Sequence, residues 1–248
     1  MTELLTERIV TNLARLRLSK ISDLLPQMIE SSQDKALSNA AFLDLLLEEE
    51  VAAKEQRRVE TALKISGLPF IKTIDEFDFT FQPSLDRKLI NTIFDLSFLT
   101  RHDNIILAGP PGVGKTHLAV ALSVKACQSG MSIYFTTMSD LIAKLEQDHQ
   151  SGKKGKARSH YKAALVIVDE VGYTPITREQ CHLFYQFVAI RYERASTIIT
   201  TNKTFSEWEE LFHDPMIVTA ILDRLLHHSI AITIRGNSYR LKEKMKEK

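Results

Sequence analysis

Cysteine is almost missing from this chain, and the two present, Cys127 and Cys181, stand far apart. That excludes a disulfide framework or a cysteine-based zinc cluster and fits a reducing compartment. Long apolar runs are missing too. With 44% hydrophobic and 25% charged residues interspersed, the composition is that of an ordinary globular chain, and no membrane span or membrane partner is expected. The opening "MTELLTERIV" carries Glu3, Glu7 and Arg8 where a signal-peptide core would be apolar. A cytoplasmic location is therefore expected. Net charge is also scarce, at +1, which argues against a chain that is basic all over.

What charge there is lies segregated. Residues 150–162, "QSGKKGKARSHYK", hold five basic residues and no acid, and residues 235–248 carry a local +4, leaving −8 on the remainder. Such segregation can mark a binding face, although a lysine cluster by itself is more often a solvated loop. At 248 residues, one large or two unequal domains are expected. Residues 1–68 read as helical, with Leu13, Leu16, Leu24 and Leu25 in one segment and Phe42, Leu45 and Leu46 in another. Gly67 and Pro69 end this part. Residues 69–84 read as a linker with aromatic anchors Phe77, Phe79 and Phe81, leading into a helix near Leu85. From there to residue 248, strands and helices alternate. Strands are predicted at 105–108, 132–137, 164–170, 196–202 and 231–235, the pattern of an α/β fold with a five-stranded parallel sheet covered on both faces.

The most informative stretch is "NIILAGPPGVGKTHLAVALSVKA", residues 104–126. A buried strand stops at a Gly/Pro loop, and a helix opens at Lys115 with Leu118, Ala119, Leu122 and Ala126 on one face. Gly109, Gly112 and Gly114 let the loop turn tightly and aim successive N–H groups inward, which together with the helix N-terminus makes a phosphate cradle. The pattern G-x-x-x-x-G-K-[ST] assigns ATP binding to Gly109, Pro110, Pro111, Gly112, Val113, Gly114, Lys115, Thr116 and His117. Lys115 would reach the β- and γ-phosphates and the Thr116 hydroxyl would ligate Mg²⁺.

Downstream, the apolar run "ALVIVDEVGY" ends in Asp169 and Glu170. Ligands of open α/β sheets bind at the carboxyl ends of strands, so both carboxylates fall near the loop. Asp169 is placed to hold Mg²⁺, and Glu170 to orient or deprotonate an attacking water. "STIITTN" ends in Asn202, whose amide could hold the same water or contact the γ-phosphate. Arg224, in "MIVTAILDRLLHHS", reads by itself as a solvated helix arginine. The neighbouring His227 and His228 would diverge by about 100° on a helix, so no metal is assigned to them.

The succession "GPPGVGKTH", "VIVDEVGY", "TTN" and "DRLLHHS" resembles AAA+ P-loop ATPases of the initiator and helicase-loader branch. More narrowly, residues 77–240 resemble the IstB family of ATP-binding insertion-sequence proteins. The supporting segments include "FDFTFQPSLDRKLI", "RYERASTIITTN", "AILDRLLHH" and "GNSYR". Val171 and Thr201 depart from the residues common there, leucine and serine. The resemblance implies a Walker A loop at Gly109 to Thr116, Walker B at Asp169 and Glu170, and a first sensor at Asn202. It also implies an arginine finger at Arg224 that acts on a neighbouring subunit, and therefore homo-oligomers. Family members bind double-stranded DNA and assist a DDE transposase encoded in the same element. In that light Lys153, Lys154, Lys156 and Arg158 become the expected DNA contacts. Only 13 residues follow position 235, too few for the helical lid of many AAA+ proteins, and Arg240 is left as the candidate for a second sensing arginine or a DNA-phosphate contact. A replicative helicase loader is the alternative on the same fold. A small-molecule kinase is disfavoured, because Glu170 beside Asp169 suits water as the acceptor.

Overall fold

The computed structural model describes residues 3–34, 37–151, 159–212 and 214–246. The chain divides into two compact units, Met1–Thr61 and Ala62–Lys248. The first is helical: α1 (Glu3–Arg15), α2 (Ser19–Asp34) and α3 (Asn39–Ile65), the last running past the division. Ile21, Leu25 and Leu46 form its small core, with Leu13 and Phe42 packed against them. Leu16 is exposed, because α1 has already ended and the chain turns through Arg17 at a φ of +56°. Glu50 is buried here, and its carboxylate accepts the Ile21 N–H at 3.0 Å.

The second unit opens with a 3₁₀ turn (Ile74–Glu76), α4 (Arg87–Phe94) and α5 (Ser97–Arg101). The Asp86 side chain caps α4 by accepting the Lys88 N–H. Then come β1 (Asn104–Ala108), α6 (Lys115–Gln128), β2 (Ile133–Thr137), α7 (Met138–Gln150) and α8 (Ser159–Lys162). They are followed by β3 (Leu165–Val171), α9 (Arg178–Arg191), β4 (Ser196–Thr201), α10 (Phe205–Phe212) and α11 (Pro215–His227). β5 (Ser229–Thr233) and α12 (Tyr239–Lys246) complete it. All strand pairs are parallel, in the order β2-β3-β4-β1-β5. The last strand begins two residues earlier than the apolar pattern suggests, because α11 ends at His227 and Ser229 pairs at once with Asn104.

One core cluster joins Val166, Val168 and Ile199 of the sheet to Leu141, Phe184, Phe187, Trp208 and Ile221 of α7, α9, α10 and α11. α6 is buried nearly all round rather than on one face. It packs on β1 to β4, and the 3₁₀ turn and α4 cover its outer side, which the alternation of apolar residues alone does not reveal. Among the described residues, no helix is long and apolar enough to cross a membrane.

Candidate functional site

β1 stops at Ala108 and α6 starts at Lys115, so the joint must turn sharply at the carboxyl end of the sheet. Gly112 and Gly114 do this at φ of +81° and +99°, left-handed backbone that disfavours side chains. The glycines also admit close neighbours. A Cβ on Gly112 would lie 2.1 Å from Ser238 Oγ, and one on Gly114 would lie 2.6 Å from the Phe77 ring. The loop is thus braced by two segments distant in sequence. The Tyr239 N–H donates to the Gly112 carbonyl at 2.9 Å, and Phe77 meets the His117 ring edge-on at 5.2 Å. His117 Nε2 lies 3.1 Å from the Thr73 carbonyl oxygen. Burial lowers the His117 pKa from its ordinary value, a shift that the hydrogen bond with Thr73 opposes.

Lys115 is buried at the start of α6. Its Nζ donates to the carbonyls of Gly109 at 2.7 Å and Pro110 at 2.8 Å, and the residue lines the cleft. Burial lowers the lysine pKa, the Asp169 carboxylate opposes that shift, and Arg240 adds to it. Thr116, next along, donates its hydroxyl to Asp169 Oδ1 at 3.0 Å.

Asp169 sits near the end of β3, where the β3–β4 register shifts between Val168 and Val171. An irregularity of this kind re-aims side chains. It leaves Glu170 at a φ of +62°, exposed and facing the same cleft as Asp169. Thr200 on β4 fixes both: its hydroxyl donates to Asp169 Oδ1 and accepts the Glu170 N–H at 3.0 Å. The cleft measures about 280 Å³ and is lined by the loop from Pro111 to His117, both carboxylates, Thr200, Phe77, Tyr239 and Arg240. A hydroxyl and a carboxylate side by side are hard oxygen donors, the set that suits Mg²⁺, and the inward loop with its buried lysine suits a polyphosphate.

The structure therefore brings together the loop residues, Asp169 and Glu170. Asn202, one residue past β4, is half-buried; among the described residues its Oδ1 has no hydrogen-bond partner, and it does not line the cleft. Arg224 lies on α11, away from the cleft. Its Nη1 donates to the Ala220 carbonyl at 2.9 Å and its guanidinium stands 4.9 Å from the centre of the Tyr185 ring. Lys153, Lys154, Lys156 and Arg158 fall outside the described residues. Thr200 and Tyr239 escape sequence reasoning. The signal for Thr200 is a threonine in a wholly buried strand, next to the strand's carboxyl end.

The family model for IstB-like ATP binding proteins matches residues 11–247. The ATP-binding protein of insertion sequence IS21 from Pseudomonas aeruginosa is 45% identical over 235 residues, 94% of this chain and 89% of that protein. The corresponding protein of insertion sequence IS5376 from Geobacillus stearothermophilus is 44% identical over 239 residues, 96% of this chain and 95% of that one. Among solved structures, AMPPCP-bound DnaA from Aquifex aeolicus superposes with a TM-score of 0.57 at 18% identity, covering 73% of this chain and 57% of that one. The DnaC helicase loader gives 0.52 at 23% identity over 68% and 97%. These two likenesses show a shared fold. With a family match over nearly its whole length and relatives above 40% identity, the chain belongs to the IstB-like ATP-binding proteins of insertion sequences.

Proposed function

We propose that this protein hydrolyses ATP, assembles with copies of itself on double-stranded DNA, and assists or recruits the DDE transposase of its insertion sequence. The observation that carries the hydrolytic part is the facing of Glu170 and Asp169 toward the Lys115–Thr116 turn across one cleft. Loop N–H groups and the Lys115 ammonium bind the β- and γ-phosphates and offset charge that builds on the γ-oxygens. Thr116 and Asp169 would hold Mg²⁺, which when bound neutralises phosphate charge. Glu170 orients a water and takes its proton as the water attacks the γ-phosphorus, while the bond from that phosphorus to the bridging oxygen breaks and ADP leaves with its electron pair. Arg240, which lines the cleft, adds a cation from the first turn of α12.

By the family resemblance, Arg224 reaches a neighbouring subunit's γ-phosphate, and its place on α11 outside its own chain's cleft is compatible with that role. That makes hydrolysis depend on assembly. DNA enters through Lys153, Lys154, Lys156 and Arg158, with the N-terminal helices serving DNA or partner binding. The insertion-sequence names of relatives at 45% and 44% identity support the transposition reading, whereas the helicase-loader reading rests on fold alone.

Duplex binding followed by fluorescence anisotropy, with ATP or ADP and at several salt concentrations, tests this proposal. Binding is expected with ATP and not with ADP. Replacing the four basic residues by glutamine should flatten the log-affinity against log-salt slope by about 0.9 per lost phosphate contact, equally on unrelated sequences. An unchanged slope in that variant, with ATPase activity intact, would move the DNA site away from this segment. A lack of ATP-dependent DNA binding in the parent protein would overturn the proposal.

A further inference from the structure

At the opposite end of the strands from the nucleotide cleft, β4 and β5 begin just after α9 and α11 end. There Glu193, His227 and His228 place one ligand atom each within 4.8 Å of one another. His228 Nε2 lies 3.6 Å from Glu193 Oε1, near the ~3.3 Å spacing of neighbouring ligands around a tetrahedral ion with bonds of about 2.0–2.1 Å. The two imidazole centroids are 4.1 Å apart. Two adjacent histidines inside a helix would point apart, but His228 is the residue that caps α11, with φ −122° and ψ 83°, so its ring swings back beside His227. We infer that Glu193, His227 and His228 form a site for one borderline divalent transition ion of the Zn²⁺ type.

Both sides of the cluster are fixed by buried groups. Glu193 sits at a φ of +57° in the turn between α9 and β4. Arg191 anchors that turn: it is buried, with Nη1 on the Ala163 carbonyl at 2.9 Å and Nε on Thr197 Oγ1 at 3.1 Å. On the other side, the Asn104 N–H at the start of β1 donates to the His228 carbonyl at 2.7 Å, and the Asn104 side chain donates to the Leu225 carbonyl at 3.2 Å. The Tyr192 hydroxyl, 2.6 Å from His227 Nδ1, holds that ring's plane. Two imidazoles and a carboxylate are ligands for zinc, nickel or cobalt, whereas hard Mg²⁺ prefers an all-oxygen shell. All three side chains are exposed, so an ion reaches them without opening the fold. Once bound, it would pin the end of α11, one turn beyond Arg224, to the end of α9.

Zinc titration of the full chain, stripped of metal and competed against a chromophoric chelator in millimolar Mg²⁺, tests this site. One zinc per chain is expected, with a Kd of about 10 μM or tighter. His228→Ala and Glu193→Gln should each weaken that binding by about tenfold or more. Because these side chains are exposed, the variants should unfold at the parent temperature without metal. Zinc should raise the Tm of the parent and not that of the variants. His102→Ala, an exposed histidine outside the cluster, should behave as the parent. Parent-like affinity and stoichiometry in the double variant His227→Ala, His228→Ala would overturn the site, as would saturation at one zinc per two chains.

Discussion

Thr200 donates its hydroxyl to the Asp169 carboxylate, and the same oxygen accepts the N–H of Glu170 at 3.0 Å. One β4 side chain therefore sets the position of both residues assigned to the metal and to the attacking water. Thr200→Val keeps the shape and removes both bonds. Hydrogen bonds to charged groups are worth about 1.5–3 kcal/mol, so kcat should fall by roughly 10- to 100-fold. ATP affinity should change by less than about threefold, because the phosphate-binding loop is untouched. Steady-state kinetics with a nucleotide-binding titration would show a wrong assignment as an equal loss in both quantities.

The loop is braced from outside as well as from the sheet. Gly112→Ala should weaken nucleotide binding and lower stability, since left-handed backbone costs a side-chain-bearing residue about 1–2 kcal/mol. Its Cβ would also stand 2.1 Å from Ser238 Oγ. Adding Ser238→Gly removes the hydroxyl and leaves the backbone strain, so recovery in thermal unfolding and ATP titration should be partial. Full recovery would mean that the left-handed φ of Gly112 carries no cost.

Arg224 packs over Tyr185 and lies apart from the cleft of its own chain. Arg224→Ala should leave the nucleotide affinity of an isolated subunit nearly intact and abolish turnover in the assembled protein. Mixing it with inactive Glu170→Gln should restore part of the activity, because some interfaces then pair an intact Arg224 with an intact Glu170. ATPase assays across mixing ratios check this. No recovery in oligomers shown to be mixed would exclude action in trans.

Much of the fold was legible because its signals are local. The apolar run into Ala108, the glycines and Lys115 lie within a dozen residues, and the alternation of strands and helices carries the parallel sheet with it. Asp169 and Glu170 were legible by their place at the end of a buried strand. What stayed hidden depends on contacts between distant segments. Nothing local to Phe77 reveals that its ring lies under Gly114, and nothing local to Tyr239 reveals its bond to Gly112. The single-faced reading of α6 missed the cover from α4 for the same reason. Periodicity misled at His228, where the helix had already ended and the assumed 100° step no longer applied.

The proposed division of labour, with Glu170 acting on water while the loop binds ATP, is tested most directly by one variant. Glu170→Gln keeps size and hydrogen-bonding capacity but cannot take a proton. Measured together, its ATP affinity should stay within about threefold of the parent, and its kcat should fall by about 100-fold or more, the scale of a lost general base. Turnover at the parent rate with ATP still bound would contradict the account.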